Sequence, residues 1–328
     1  MLRYSANRPI PQQAHTPLSE KIGDAEQKIR KEIAIMKKLR HGHIVRLIEV
    51  IDDKLNDRIY MVMEYLSGGE VKWRIKAREE HPCYEPILQL DQVRRIIRDV
   101  ILGLEYLHYQ GIIHRDIKPG NLLWTADRQM VKISDFGVST FSYAQRLAAA
   151  GRSKVEADDT DPLLLDDSDL SKRSGTPSFL APEIIAEYER ASDASPTSTS
   201  TSFLSSATAH ASPTTSSRSK RKITKAIDVW ALGVTLYCLL FGDCPFHPPP
   251  GIGGSAAEFA LYTVICNEDW TPRKTMAYGR IPTGGRHPGR SAPSEARVVI
   301  RILDGLLQKD QHKRMTLDQL KVCRPEPS

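Results

Sequence analysis

The sequence predicts an α+β protein, with a strand-bearing stretch in residues 45–66 and mainly helical patterning from residue 91 onward. Three observations carry this reading. Two β-rich apolar runs lie close together in residues 45–66, helical spacing governs residues 93–107, and the most apolar stretch, Ile227–Phe241, has the length of a buried helix. A chain of 328 residues is long enough to bury a substantial core.

The elements follow in order. Residues 1–18 contain Pro and Gln without periodicity and read as an irregular lead-in. Ile22, Ile29, Ile33 and Met36 then recur on one face, with Lys and Glu on the other, as in an amphipathic helix; Ser19 and Asp24 are its candidate N-caps. Val45–Ile51 and Arg58–Leu66 form an antiparallel pair across the polar turn Asp52–Asp57, and Ser67-Gly68-Gly69 ends the second strand. Asp91 is placed to cap a long helix whose apolar positions are Val93, Ile96, Ile97, Val100, Ile101, Leu104 and Leu107. Short β-like segments follow at Asn121–Trp124 and Met130–Ile133, and the chain is then loop-like and charged as far as Gly175.

Residues 191–220 are mostly Ser and Thr and cannot bury enough apolar surface to offset their ordering entropy. A disordered insertion is therefore expected over about 187–222. Ser195-Pro196 and Ser212-Pro213 are either proline-directed phosphorylation sites or parts of a plain solvated linker. From Thr224 the chain is helical, with Pro- and Gly-rich interruptions at 245–254 and 281–293.

Composition excludes several function classes. The formal charge of +6 is spread along the chain among acidic residues and forms no nucleic-acid stripe. Ile227–Phe241 is too short for a membrane span and carries Asp228, so it reads as a core helix. Met1–Gln13 has no apolar signal region. The five cysteines form no Cys-x-x-Cys pair, Cys238 reads as a small buried hydrophobe, and a reducing, cytoplasmic setting fits.

The chemistry concentrates in His114-Arg115-Asp116-Ile117-Lys118-Pro119-Gly120-Asn121, followed by Asp135-Phe136-Gly137. Phosphoryl transfer to a hydroxyl needs positioning, neutralisation of phosphate charge, and a group to accept the proton. Asp116 suits the last task and Lys118 offsets γ-phosphate charge. Asn121 and Asp135 supply oxygen ligands to Mg²⁺, a hard ion. Each residue type is also a turn former, but turn chemistry does not demand the whole set in this order.

These residues resemble, one for one, the catalytic loop and metal-binding motif of eukaryotic-type Ser/Thr protein kinases. Gly175-Thr176-Pro177-Ser178-Phe179-Leu180-Ala181-Pro182-Glu183 is similar to the end of the activation segment. Asp228-Val229-Trp230-Ala231-Leu232-Gly233 is similar to the buried central helix of the large lobe. The resemblance implies a two-lobed kinase fold, ATP and Mg²⁺ as cofactors, and a protein substrate. It also implies that Asp228 braces the catalytic loop and that Arg314 pairs with Glu183. Lys118 and Thr176 point to Ser/Thr as acceptor, and Thr176 reads as a docking-loop residue, with Ser171 and Ser174 as alternative phosphosites.

Upstream, Glu32 resembles the glutamate of the kinase helix C. On the same resemblance Met63 is the gatekeeper, the backbone of Glu64 and Leu66 faces the adenine edge, and Leu123 is the floor under the base. His43-to-Asp53, Glu105-to-Gln110 and Gly242-Asp243-Cys244-Pro245-Phe246 are similar to the calcium/calmodulin-dependent protein kinase kinases and their fungal relatives. That likeness implies another protein kinase as substrate, and it alone brings in calmodulin as a partner, since no basic amphipathic helix for it is seen.

The sequence departs from the family before Glu32. Gly23 is the only glycine among the first thirty residues, and no Val-Ala-x-Lys strand is present. The expectation is a partial small lobe (residues 1–66), lacking the Gly-rich loop and the phosphate-binding lysine, on a complete large lobe (67–328). A Ser/Thr kinase in truncated form is the favoured reading, and an inactive kinase-like scaffold is the alternative.

Overall fold

The computed structural model describes residues 18–76, 84–142, 146, 174–193 and 223–323. The lead-in, Cys83, Ser171 and both Ser-Pro sites lie outside the described residues.

The first element, α1 (Leu18–Lys37), contains Asp24 in its interior, so Asp24 is no cap. Its buried stripe is Ile33, Ile35 and Met36, continued by Leu39 beyond its end. Ile29, placed on the inner face by periodicity, is 39 % exposed, because the helix packs only through its last turns. The strand pair forms as expected: β1 (Leu47–Asp53) lies antiparallel to β2 (Arg58–Met63), with Val50 opposite Met61. The Asp53 carboxylate closes the turn by accepting the Leu55 and Asn56 N–H groups at 3.2 and 3.3 Å. This sheet is thinly covered, and Ile48, Ile51, Tyr60, Val62 and Met63 are all exposed.

Next come β3 (Gly69–Glu70), β4 (Arg74–Lys76) and β5 (Tyr84–Pro86), then the long α2 (Leu90–Tyr109). Helix α2 starts one residue before Asp91. Its entry is closed at Gln89, whose N–H donates to Gln92 Oε1 at 2.9 Å, and Asp91 sits inside the first turn, bridging Arg94 at 3.1 Å. All seven apolar positions predicted for α2 are buried.

Beyond α2 lie β6 (Ile112–Ile113), a 3₁₀ turn at Pro119–Asn121, β7 (Leu122–Trp124), β8 (Val131–Ile133) and β9 (Thr140–Phe141). Strand β7 is the middle of a three-stranded sheet with β3 and β8, and β6 pairs with β9. These two small ladders hold the loop that leads from α2 to Asn121 between them.

The helical part continues with α3 (Pro182–Asp193), α4 (Ala226–Phe241), α5 (Gly254–Asn267), a two-stranded ribbon at 275–282, α6 (Ser294–Leu306) and α7 (Leu317–Lys321). Helix α3 runs to Asp193, seven residues into the stretch expected to be disordered. Residues 187–193, Glu-Tyr-Glu-Arg-Ala-Ser-Asp, contain good helix formers and extend a helix already nucleated at Pro182. Residues 194–222 are outside the described residues.

Helix α4 is buried from Ile227 to Phe241, the all-round burial of a central core helix, as its sequence predicted. Gly233 permits the contact with α6, where a Cβ would come within 2.8 Å of Leu306 Cβ. Among the described residues no helix is long and apolar enough to cross a membrane.

Candidate active site

The catalytic segment 114–121 runs from β6 to β7 across the N-terminal half of α4. Its anchor is Asp228, fully buried in the first turn of α4. Asp228 Oδ2 accepts the His114 N–H at 2.9 Å, and Oδ1 accepts the Arg115 N–H at 2.8 Å. His108 Nε2 lies 2.8 Å from Oδ2. Burial works to raise the Asp228 pKa, but the His108 bond, the nearby histidines and the Arg115 N–H outweigh it, and the group stays below the ordinary Asp value.

This grip holds Arg115 at φ 71°, a left-handed conformation unusual for a residue with a Cβ. Two turns further along α4, the Thr235 hydroxyl donates to Ile117 O at 3.3 Å, fixing the middle of the loop. Ser139 Oγ donates to His114 O at 3.1 Å, tying the loop to the segment after Gly137.

On this frame Asp116, Lys118 and Asn121 converge. Lys118 Nζ donates to Asp116 Oδ2 at 2.6 Å and to Thr176 Oγ1 at 2.7 Å. Thr176 donates to Asp116 Oδ1 through its N–H at 2.9 Å and its hydroxyl at 2.8 Å. Asn121 Nδ2 donates to the Asp116 carbonyl at 2.9 Å and to its Oδ2 at 3.0 Å. Partial burial pushes the Asp116 pKa up, while Lys118 and Thr176 together bring it below the usual value. Asp116 is therefore an oriented, ionised carboxylate, and Lys118 is held beside it.

Asn121 and Asp135 are coupled through the residue between them and β8. The Ser134 N–H and hydroxyl both donate to Asn121 O, at 2.9 and 3.0 Å. Asp135 itself stands at φ 66°, so its side chain is set by a strained backbone. Its neighbour is Glu32 of α1: a Cβ added to Gly137 would lie 3.4 Å from Asp135 Oδ1 and 3.6 Å from Glu32 Oε2. The two carboxylates thus border the same spot beside Gly137. Burial, and then repulsion from Asp135, raise the Glu32 pKa. Among the described residues Glu32 makes no ion pair or hydrogen bond.

An amide oxygen and a carboxylate on neighbouring segments, with a second carboxylate facing them, make an all-oxygen donor set that fits a hard divalent ion. Mg²⁺ takes few protein ligands and completes its shell with water and phosphate oxygens.

The residues assigned to the base lie along one connection. Met63 ends β2 and is 45 % exposed, so no packing closes over the gatekeeper position. The Glu64 N–H donates to Arg46 O at 2.9 Å, and Leu66 O accepts the Gly69 N–H at 3.1 Å. The Glu64 side chain turns to Lys132, 2.6 Å away. Leu123 lies in β7 between Glu70 and Lys132. A largely apolar cavity of about 470 Å³ between α2, α4, α6 and α7 shares no residue with this site.

Sequence reasoning missed His108, Thr235, Ser134 and Lys132. His108 carried a signal, since it falls one residue after Leu107 on a face of α2 that is otherwise apolar. Two implied structural roles are met: Asp228 braces the loop, and Arg314 grips Glu183 through two bonds at 2.7 and 2.9 Å, both side chains buried. Gly175, at φ 116°, brings the activation-segment end against the loop, where a Cβ would meet Arg115 O at 2.7 Å.

A mostly helical body, a carboxylate–lysine–asparagine cluster braced from a buried helix, and an Asp-Phe-Gly turn facing a helix glutamate define a phosphotransferase-type site. The chain belongs to the protein kinase family: the model described as "Protein kinase domain" matches residues 15–200 and 191–323. It is 40 % identical over 297 residues to the Serine/threonine-protein kinase ssp1 of Schizosaccharomyces pombe, covering 90 % of this chain and 34 % of that protein. SNF1-activating kinase 1 of Saccharomyces cerevisiae is 40 % identical over 304 residues, 92 % of this chain and 23 % of its own. The Calcium/calmodulin-dependent protein kinase kinase of Caenorhabditis elegans is 36 % identical over 296 residues, 90 % of this chain and 39 % of its own. The chain thus spans between 23 % and 39 % of the length of these relatives.

Proposed function

We propose that the chain is the catalytic part of a Ser/Thr protein kinase, transferring the γ-phosphoryl group of ATP to a Ser or Thr hydroxyl of a protein. The observation that carries the reading is the convergence of Lys118, Asn121 and Thr176 on the Asp116 carboxylate. In this role Asp116 orients the acceptor hydroxyl and takes its proton at a carboxylate oxygen. Lys118, already beside it, offsets charge on the transferring group, and Thr176 fixes the carboxylate rotamer. Asn121 and Asp135 would hold Mg²⁺, which supplies charge neutralisation between the phosphates when bound.

The printed names of two relatives, an SNF1-activating kinase and a kinase kinase, support another protein kinase as the substrate class. Calmodulin enters only through the name of the second. A cytoplasmic setting is part of the same reading, supported by the lack of any Cys-x-x-Cys pair in the sequence.

One observation favours the scaffold reading: Glu32 has no cationic partner among the described residues. Residues 1–328 on their own are therefore expected to be a slow enzyme. The test is phosphate incorporation into a protein-kinase substrate by the purified chain with Mg²⁺ and ATP, beside Asp116→Asn. Slow transfer that Asp116→Asn lowers by at least about 10²-fold supports the kinase reading. Absence of both ATP binding and transfer would leave the scaffold. Turnover in the ordinary kinase range, roughly 1–100 s⁻¹, would sink the account of Glu32 and of the small lobe.

A further inference from the structure

Away from the phosphotransfer site, two thiols face each other at the end of the central helix. Cys238 is fully buried in the last turn but one of α4, and Cys244 follows two residues after the helix stops at Gly242. Their sulfur atoms are 3.8 Å apart. Gly242 turns the chain back at φ 70°, with its N–H donating to Cys238 O at 2.9 Å, and this reversal brings Cys244 over Cys238.

The surroundings differ for the two sulfurs. Cys244 is partly exposed, on irregular chain, beside a charged cluster centred on Asp243. Asp243 accepts the Cys244 N–H at 2.9 Å, pairs with Arg273 at 2.6 Å, and lies 3.3 Å from His247 and 4.0 Å from Arg74. Arg74, Arg273 and His247 thus gather beside the pair around the acid Asp243, whose bond raises the His247 pKa. The contact between the two sulfurs lowers the Cys244 pKa, while burial raises that of Cys238. His247 Nε2 is turned to Cys244 O at 2.9 Å and not to either sulfur, so the cluster does not make a metal site.

We propose that Cys238 and Cys244 are a redox-modification site, in which a hydroperoxide oxidises Cys244 and Cys238 resolves it to an intramolecular disulfide. In the first step the Cys244 thiolate attacks the hydroperoxide and the O–O bond breaks. Cys244 becomes the sulfenic acid and the peroxide is reduced to an alcohol, or to water if it is hydrogen peroxide. In the second, Cys238 sulfur attacks Cys244 sulfur, the S–O bond breaks, and hydroxide leaves with the Cys238 proton as water. Two thiols and one hydroperoxide give one disulfide, one alcohol and one water.

The sulfurs must close by about 1.8 Å to reach disulfide bond length. Cys238 is fixed on a helix, so the movement falls on the Gly242–Cys244 turn. That turn rests on β5, where a Cβ on Gly242 would lie 2.6 Å from Glu85 C, and Asp243 binds the Arg273 that also donates to Tyr84 O at 2.8 Å. Oxidation therefore acts on the seat of the β4–β5 hairpin.

The experiment treats the full chain with equimolar hydrogen peroxide, blocks remaining thiols, and maps the cysteines by mass spectrometry. The expected product is a dithiothreitol-reversible peptide linking Cys238 and Cys244, lighter by two hydrogens. Its formation should outrun oxidation of Cys323 by about tenfold. In Cys238→Ala the sulfenic acid on Cys244 should persist and be trapped by dimedone. Earlier oxidation of Cys83, Cys266 or Cys323, or conversion of wild-type Cys244 to sulfinic acid without a linked peptide, would overturn the proposal. The wild-type cysteine map is enough to support or overturn it, so the test does not depend on the variant folding.

Discussion

Replacing Asp228 by Asn tests whether the catalytic loop is held from α4 as its geometry indicates. The carboxylate accepts from three groups, the N–H of His114, the N–H of Arg115 and His108 Nε2, at 2.8–2.9 Å. An amide offers one oxygen and one NH₂. If its oxygen keeps Arg115, the NH₂ confronts the His114 N–H, and a buried donor is left without an acceptor. His108 can recover its contact by changing tautomer; the His114 N–H cannot.

Losing a charge-assisted bond costs about 1.5–3 kcal/mol, and stranding a buried N–H a further 1–3 kcal/mol. A net cost of about 3–5 kcal/mol, typical of a broken buried charge network, is therefore expected. For a domain of this size each kcal/mol lowers the melting temperature by about 2–4 °C, so the shift is on the order of 10 °C.

The pH dependence provides a second reading. The folded-state pKa of Asp228 is lowered, so its stabilisation is complete above the unfolded value of about 3.9 and is lost as pH falls through the lower folded value. The wild-type advantage over Asp228→Asn should thus be largest above about pH 4 and shrink in stronger acid. The assay is thermal unfolding of both proteins from pH 3 to 8, with phosphoryl transfer at pH 7. A melting temperature within about 2 °C of wild type at pH 7 would refute the bracing argument.

Three further outcomes follow from the same geometry. Gly175→Ala puts a Cβ 2.7 Å from Arg115 O at φ 116°, so transfer should fall by about 10²-fold while Mg²⁺–ATP affinity holds; equal activity would show that the activation segment does not rest there. Glu32→Gln removes a carboxylate whose pKa burial and Asp135 raise. Because that group's contribution to stability declines as pH rises from about 4.3 through its folded pKa, the variant should be slightly more stable at pH 7, by less than about 1 kcal/mol. A lower melting temperature for Glu32→Gln would contradict the unpaired state of Glu32. Arg314→Ala leaves Glu183 buried without its partner and should cost about 3–5 kcal/mol in chemical denaturation; a cost under 1 kcal/mol would mean that water replaces the guanidinium.

What could be read from the sequence was what lies close together along the chain. Asp116, Lys118 and Asn121 are within six residues, and any fold that forms the 3₁₀ turn at 119–121 brings them to one side. The seven apolar positions of α2 are likewise local, since one helix carries them. The supports were harder to see. His108 meets Asp228 across 120 residues, and Thr235 meets Ile117 across 118. Nothing in the character of a histidine at the end of an apolar helix reveals that a carboxylate will cross over it. Boundaries failed where two rules competed. At α2 the better capper, Asp91, lost to Gln89 because Leu90 already packs in the core. At α3 the polar stretch from Glu187 to Asp193 was assigned by composition, although its residues are good helix formers. The Cys238–Cys244 pair was hidden by a spacing of six, which no helical or Cys-x-x-Cys rule links and which only the reversal at Gly242 makes close.

The two halves of the site rest on supports of very different strength, and this decides how each can be perturbed. Asp116, Lys118 and Asn121 are built on the buried N-terminal half of α4, so their geometry shares the stability of the core itself. Glu32, Met63 and Leu66 belong to α1, β2 and the connection after it, where much of the apolar surface is exposed and Glu32 meets only another carboxylate. A change in α4 must therefore damage folding and chemistry together. A change at Glu32 or at an exposed position of β2 should alter nucleotide handling with little effect on global unfolding, whereas Ile35 and Met36 of α1 belong to the buried core.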